Sequence, residues 1–221
     1  MQRIPMPFPL PKECCNGGII DYGVGNLFSV QSSFTAIGQS VVVSSDPEVL
    51  RKADHILLPG VGAFEDAVCK LRTTGMDEMV YEAAQEGKPL LGICLGMQML
   101  FEKSFEYGEY DGLGLLKGNV VGMQGILPEE LKIPHIGWNA LHFRQKDCPL
   151  FRYIKEGDCV YFVHSYFAED CDESVAATTE YGKELTAAVA YKNIYGCQFH
   201  PEKSGDVGLN ILRAFCETEA E

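Results

Sequence analysis

The chain has 221 residues, 46% hydrophobic and 22% charged, with a formal net charge of −13. Those proportions exclude a disordered or fibrous chain and are enough for one large domain with its own core. The acidic balance argues against nucleic acid or an anionic membrane as the main partner, since both reward a basic face.

The first residues, MQRIPMPFPLPKE, place proline at 5, 7, 9 and 11, so residues 1–16 read as a loose tail. That stretch lacks the apolar core of a secretory signal, and no run approaches the roughly 18 apolar residues of a membrane span. The nine cysteines form no CxxC pair, which suggests neither a zinc ribbon nor a dithiol centre. A reduced, cytoplasmic setting is expected, in which eight of the nine act as small buried hydrophobes.

GGIID reads as a short strand, although the KECCNGG leading into it contains poor strand formers. Gly23-Val24-Gly25 follows, but a dinucleotide loop would need a third glycine where Phe28 stands, so the G-x-G carries little weight. NLFSVQSSFTAIG sets Leu27, Val30, Phe34 and Ile37 along one helical face. SVVVSS is strand-like, and Asp46-Pro47 is a helix start. HILLPG is a buried strand, AFEDAVCKLRTTGMDEMVYEAAQEG is helical with a break near Gly75, KPLLGIC is the next strand and LGMQMLFEKSF the next helix. Continuously apolar strands separated by helices indicate a parallel sheet covered on both faces.

The second half changes character. GNVVGM, WNALHF, DCVYFVHSYFA, SVAATTEY, TAAVAYKN and YGCQFH are strand-like with turns between them, and VGLNILRAFCE forms a closing helix. The expected fold is α/β, an open and mostly parallel sheet flanked by helices, with antiparallel strands in the second half. It spans a single domain over residues 17–221.

Ligands of such sheets bind beyond the carboxyl ends of the strands, where Cys94 is expected to stand at the turn after KPLLGI. Gly92 and Gly96 flank it, and G-x-C-x-G is the thiol counterpart of the nucleophile elbow. A helix starting at this point favours negative charge on the sulfur and offers the N–H of Leu95 to a developing oxyanion. Free cysteines are more often core residues, so Cys94 needs a base.

Of five histidines, His55 opens a strand and reads as structural or surface, and His142 reads as a solvated strand position. His200, in CQFHPEKS, projects from a strand end that Pro201 terminates. Glu202 stands two residues on, the same side of an extended backbone, where a carboxylate can orient the ring. Cys94, His200 and Glu202 together support acyl transfer through a thioester.

GICLGMQ with a downstream QFHPEKS resembles the class I, triad-type glutamine amidotransferases. DYGVGN, LLPGVGAF, IPHIGWN and YFVHSY narrow the resemblance to the glutaminase subunits of imidazole glycerol phosphate synthases, from about Ile19 to the last helix. The resemblance implies that Cys94 attacks the side-chain amide of glutamine, that His200 moves the proton and that Glu202 orients His200. It implies an oxyanion site at Leu95, Val61 and Gly62, and substrate contacts from Gly60, Gly62, Gln98, Glu106, Ser165 and Tyr166. On the residues alone, Glu106 is a helix-end carboxylate one or two turns past the elbow, and Gln98 shares the helical face of Cys94.

The resemblance further implies no cofactor and no metal. It also implies a heterodimer with a (β/α)₈ cyclase subunit that takes the ammonia, with Asn26, His135 and Trp138 on or near that interface. His164 reads as structural or interfacial. Two other readings keep less of the pattern: a related cysteine hydrolase or peptidase, and an interaction module without activity.

Overall fold

A computed structural model describes residues 16–220. Apart from Asn16, the expected loose tail lies outside the described residues. In the first half, strands alternate with helices: β1 (Asn16–Ile20), α1 (Leu27–Ala36), β2 (Ser40–Ser44), α2 (Pro47–Leu50), β3 (His55–Gly60), α3 (Phe64–Thr73), α4 (Met76–Gln85), β4 (Leu90–Cys94) and α5 (Leu95–Met99). Strands dominate the second half: β5 (Lys103–Ser104), β6 (Tyr110–Asp111), β7 (Asn119–Gly122), β8 (His135–Ala140), β9 (His142–Phe143), β10 (Cys159–His164), β11 (Tyr166–Glu169), β12 (Val175–Glu180), β13 (Glu184–Tyr191) and β14 (Ile194–Cys197), before the closing helix α6 (Gly205–Cys216).

The main sheet runs in the order β2-β1-β3-β4-β14-β13-β12-β9. Its first five strands are parallel and its last three pair antiparallel, as expected from the change of pattern along the chain. Residues at successive positions point to opposite faces. Ile56, Leu58 and Leu90 therefore join Val68, Leu71, Met79 and Val80 of α3 and α4 in one core. Leu57, Leu91 and Ile93 join Val30 and Phe34 of α1 and Leu212 and Phe215 of α6 in the other. Covering both faces is what makes the short strands continuously apolar.

β1 forms despite its weak lead. It lies between β2 and β3, and both neighbours supply its ladder bonds. Gly18 is required there by packing, since a Cβ would stand 2.9 Å from the Leu50 side chain of α2.

Two boundaries differ from expectation. The helix after Cys94 stops at Met99 instead of running to Phe105. The carbonyls of Met99, Leu100 and Phe101 are taken by the N–H groups of residues 113–116, which ends the helical ladder. β14 stops at Cys197, and residues 201–203 make a 3₁₀ turn. Cysteine burial also departs from expectation: Cys148, Cys171 and Cys197 are buried, but Cys69 and Cys159 are exposed and Cys216 is half-buried. Cys69 lies on α3 and hydrogen-bonds at the surface with Thr73.

Candidate active site

β14 brings the end of the chain to its middle. It pairs in parallel with β4, with Cys197 level with Ile93, so the segment just beyond β14 runs beside Cys94. This pairing explains how a base about a hundred residues downstream reaches the thiol.

Cys94 is the hinge between β4 and α5. Its φ is 54° and ψ −114°, a region that residues with a Cβ rarely occupy and that marks a functional turn. The flanking glycines are needed because the helix lies directly on the sheet. A Cβ on Gly96 would stand 1.8 Å from the Leu58 carbonyl oxygen, and one on Gly92 2.7 Å from Met97 Cα. The helix behind the sulfur is little more than one turn long, so its dipole is smaller than the expected longer helix would supply.

His200 Nδ1 lies 2.7 Å from Glu202 Oε1, and the two side chains are 4% and 2% exposed. The 3₁₀ turn, not the alternation of an extended strand, brings them together. His200 also lines the same cleft as Cys94 and is close enough for the two to interact. Burial opposes the imidazolium, but the hydrogen bonds and charges of Cys94 and Glu202 outweigh it and raise the His200 pKa to about 9. The main chain of His200 is clamped as well. Its N–H donates to Tyr161 O at 3.0 Å, and its carbonyl accepts from Ser204 Oγ at 2.7 Å, while that oxygen accepts from Tyr161 N. Ser204 was not singled out from the sequence, where a serine after a turn carries no distinctive signal.

A cleft of about 430 Å³ opens over the sulfur. It is lined by Val61, Gly62, Cys94, Leu95, Gln98, Glu106, Ser165, Tyr166 and His200, which covers most of the expected site. Gly60 is not part of the lining. It pairs with Cys94 across β3 and β4, and its Cα faces Gly96 N so closely that a Cβ would stand 2.6 Å away. Its part is close packing. Glu202 stands behind His200, away from the cleft.

Glu106 arrives from a bend after β5, not from a helix end. Its Oε2 accepts from Phe64 N at 2.7 Å, which caps α3 and aims the carboxylate into the cleft. Burial raises its pKa, and the Phe64 hydrogen bond offsets part of that rise. Gln98 is buried, and its Nε2 donates to Tyr166 O at 3.1 Å and to Gln198 Oε1 at 2.9 Å. Gln198 Nε2 in turn lies 3.9 Å from Cys94 Sγ.

Residues 18–218 match the family model of class I glutamine amidotransferases. The chain is 51% identical over 90% of its length to a protein of Caldanaerobacter subterraneus subsp. tengcongensis, covering 97% of that protein, which is named imidazole glycerol phosphate synthase subunit HisH. A Lactococcus lactis protein of the same name is 50% identical, over 90% of this chain and 96% of that one. This chain belongs to the class I glutamine amidotransferases, in the HisH family. Among solved structures, PurLQS from Thermotoga maritima shares the fold with a TM-score of 0.69 and 19% identity, over 92% of this chain and 98% of that one. The glutaminase domain of Trypanosoma brucei CTPS, with bound acivicin, superimposes with a TM-score of 0.63 at 16% identity, over 94% and 96%.

This amidotransferase also exposes large apolar side chains: Phe28, Ile136 and Trp138 are 79%, 57% and 55% exposed. Asn26 is exposed too, and its Oδ1 caps α1 at Ser29 N. His135, expected on or near a partner interface, is fully enclosed. Its Nδ1 meets His164 Nε2 at 3.0 Å, its Nε2 meets Asn139 Oδ1 at 2.8 Å, and its ring stacks on Tyr181. It can only support an interface from beneath. Burial lowers the pKa of both rings, His164 to about 3, and His164 Nδ1 bonds Tyr166 O at 2.8 Å, so this pair is a prop under the cleft wall. His55 is buried against Phe215, and His142 is exposed. Among the described residues no group of three or more His, Cys, Asp or Glu could hold a metal ion, and no helix is long and apolar enough to cross a membrane.

Proposed function

We propose that this chain is the glutaminase subunit of an imidazole glycerol phosphate synthase, hydrolysing glutamine to glutamate and ammonia for histidine biosynthesis. The observation that carries the reading is a thiol at a strained elbow that lines one cleft with His200, itself buried against Glu202.

Cys94 Sγ attacks the side-chain amide carbon of glutamine, and the C–N bond breaks as His200 delivers its proton to the leaving ammonia. Water, deprotonated by His200, then adds to the thioester and releases glutamate and the thiol. Glu202 holds Nδ1, so the other ring nitrogen faces the sulfur. The N–H of Leu95 and the Val61–Gly62 loop stabilise the oxyanion, each donor contributing about 3 kcal/mol. Glu106 and Gln98 receive the α-ammonium, and the main chain of Ser165 and Tyr166 receives the α-carboxylate.

Ammonia keeps its nucleophilicity only if it avoids protonation in bulk water, so a partner must cover the cleft. We assign that part to the (β/α)₈ cyclase subunit, in a heterodimer whose interface includes Asn26, Trp138 and the apolar residues around them. Cys69, Cys94, Cys148, Cys159, Cys171 and Cys197 are free thiols, which supports a reducing, cytoplasmic setting.

The test measures glutamate released from glutamine, with and without the barrel subunit and its ligand. Release that the partner stimulates and Cys94→Ala abolishes supports the reading. Turnover of peptides or esters but never glutamine overturns it in favour of a related hydrolase.

A further inference from the structure

Gln198 has no part in the mechanism above, yet it lies level with the nucleophile. It follows β14, whose parallel register with β4 sets it beside Cys94. Cys197, Gln198 and Phe199 are all fully enclosed, so this amide stands in an apolar run without access to water. Such a group is retained only with partners.

The partners define which way the amide points. Tyr166 O can only accept, so the atom of Gln98 that meets it is Nε2. The same nitrogen meets the Gln198 amide, which must therefore present its oxygen there. The nitrogen of Gln198 is left facing Cys94 Sγ at 3.9 Å. A chain of amides thus runs from the cleft wall to the sulfur and ends in a donor.

We infer that Gln198 is a positioning residue for the nucleophile: its N–H steadies the sulfur in the anionic form, and its carbonyl ties that donor to the glutamine-holding wall. The inference rests on Cys94 being the nucleophile. A donor to an anion strengthens as charge develops, so the contact tightens when the thiolate forms and relaxes when the thioester replaces it. The titratable groups around the sulfur are His200 with Glu202 behind it and Tyr22, whose hydroxyl is tied to Pro59 O. Glu106, His164 and Lys203 line the same cleft. Gln198 is the neutral donor among them, so its effect on the sulfur does not titrate away.

The experiment follows alkylation of Cys94 by iodoacetamide against pH, read on the Cys94 peptide by mass spectrometry so that exposed Cys69 and Cys159 do not interfere. Gln198→Met keeps the length and removes the donor. Gln198→Glu keeps the shape and sets a carboxyl beside the sulfur. Gln98→Met, buried at the cleft wall, releases the far end of the chain and is an independent variant should those at Gln198 fail to fold. The midpoint of alkylation is expected to rise by about 0.5–1 unit in Gln198→Met, by more in Gln198→Glu and by less in Gln98→Met. In Gln198→Met, kcat for glutamine is expected to fall roughly tenfold with KM nearly unchanged. A merely structural role would lower the melting temperature and leave the midpoint where it was. An unchanged or lowered midpoint in every variant that folds overturns the inference. Should the parent alkylate at Cys94 but hydrolyse no glutamine, the proposed function fails while the midpoint shift still decides the part of Gln198.

Discussion

The two sides of the cleft are built differently. On the nucleophile side, Cys94, His200 and Glu202 are enclosed, and the main chain around them is held by close packing and by Ser204. At the rim, Val61 is 40% and Tyr107 87% exposed, and Ile136 and Trp138, on β8 beside the strand that holds His200, face outward. Bond-making groups are thus finished within the chain, whereas the surface that would meet a partner is open. An enzyme built this way can hold its chemistry ready and leave access to be completed from outside.

The comparison breaks first at the sulfur. Cys94→Ala should lower glutamine hydrolysis by about 10⁴-fold or more with the melting temperature little changed, since nucleophile losses are of that order. Residual turnover near the parent rate would remove Cys94 from the chemistry.

Gly96→Ala comes next. The added carbon meets the Leu58 carbonyl, so the elbow must move, costing about 1–3 kcal/mol of stability and most of the activity. Urea unfolding with a parallel glutaminase assay checks both, and an unaltered stability would contradict the packing described.

Glu202→Gln probes the enclosed pair. With a folded pKa of about 9, above its unfolded value, His200 contributes stability that is complete below about pH 6.5 and lost as pH rises toward 9. Removing the carboxylate lowers that pKa, so the contribution should be smaller and its loss should be complete at lower pH, together with a roughly 10²-fold fall in kcat. Denaturation midpoints from pH 6 to 10 measure it. An identical pH profile in parent and variant would sink this account.

Trp138→Ala sharpens the open side. Stability and partner-free turnover should change least, within about 0.5 kcal/mol for an exposed site. Affinity for the barrel subunit should fall roughly tenfold or more, as for an aromatic hot spot, and calorimetric titration reads it. Unchanged affinity would place the interface elsewhere.

These differences also explain what the sequence discloses. The parallel half was readable because its central strands must be apolar on both faces, and because a cysteine between two glycines admits few local structures. His200 and Glu202 were readable from a proline-ended strand, though their contact comes from a 3₁₀ turn. Features settled by distant chain were not readable. α5 stops at Met99 because residues 113–116 claim its carbonyls, and nothing in LGMQMLFEKSF announces that. Glu106 faces the cleft through a hydrogen bond to Phe64, and His135 is buried by Tyr181 and Phe162, partners its own segment does not specify. Gln198 did leave a trace, as a lone amide inside an apolar run, which calls for a partner without saying which one.

Because Gly96 rests directly on the Leu58 carbonyl, the backbone of the elbow is placed by two main chains touching, with no side chain in between. That backbone is therefore indifferent to which nucleophile it carries. A serine substituted at Cys94 would stand in the same spot, and any loss of rate would measure the difference between oxygen and sulfur as reacting atoms.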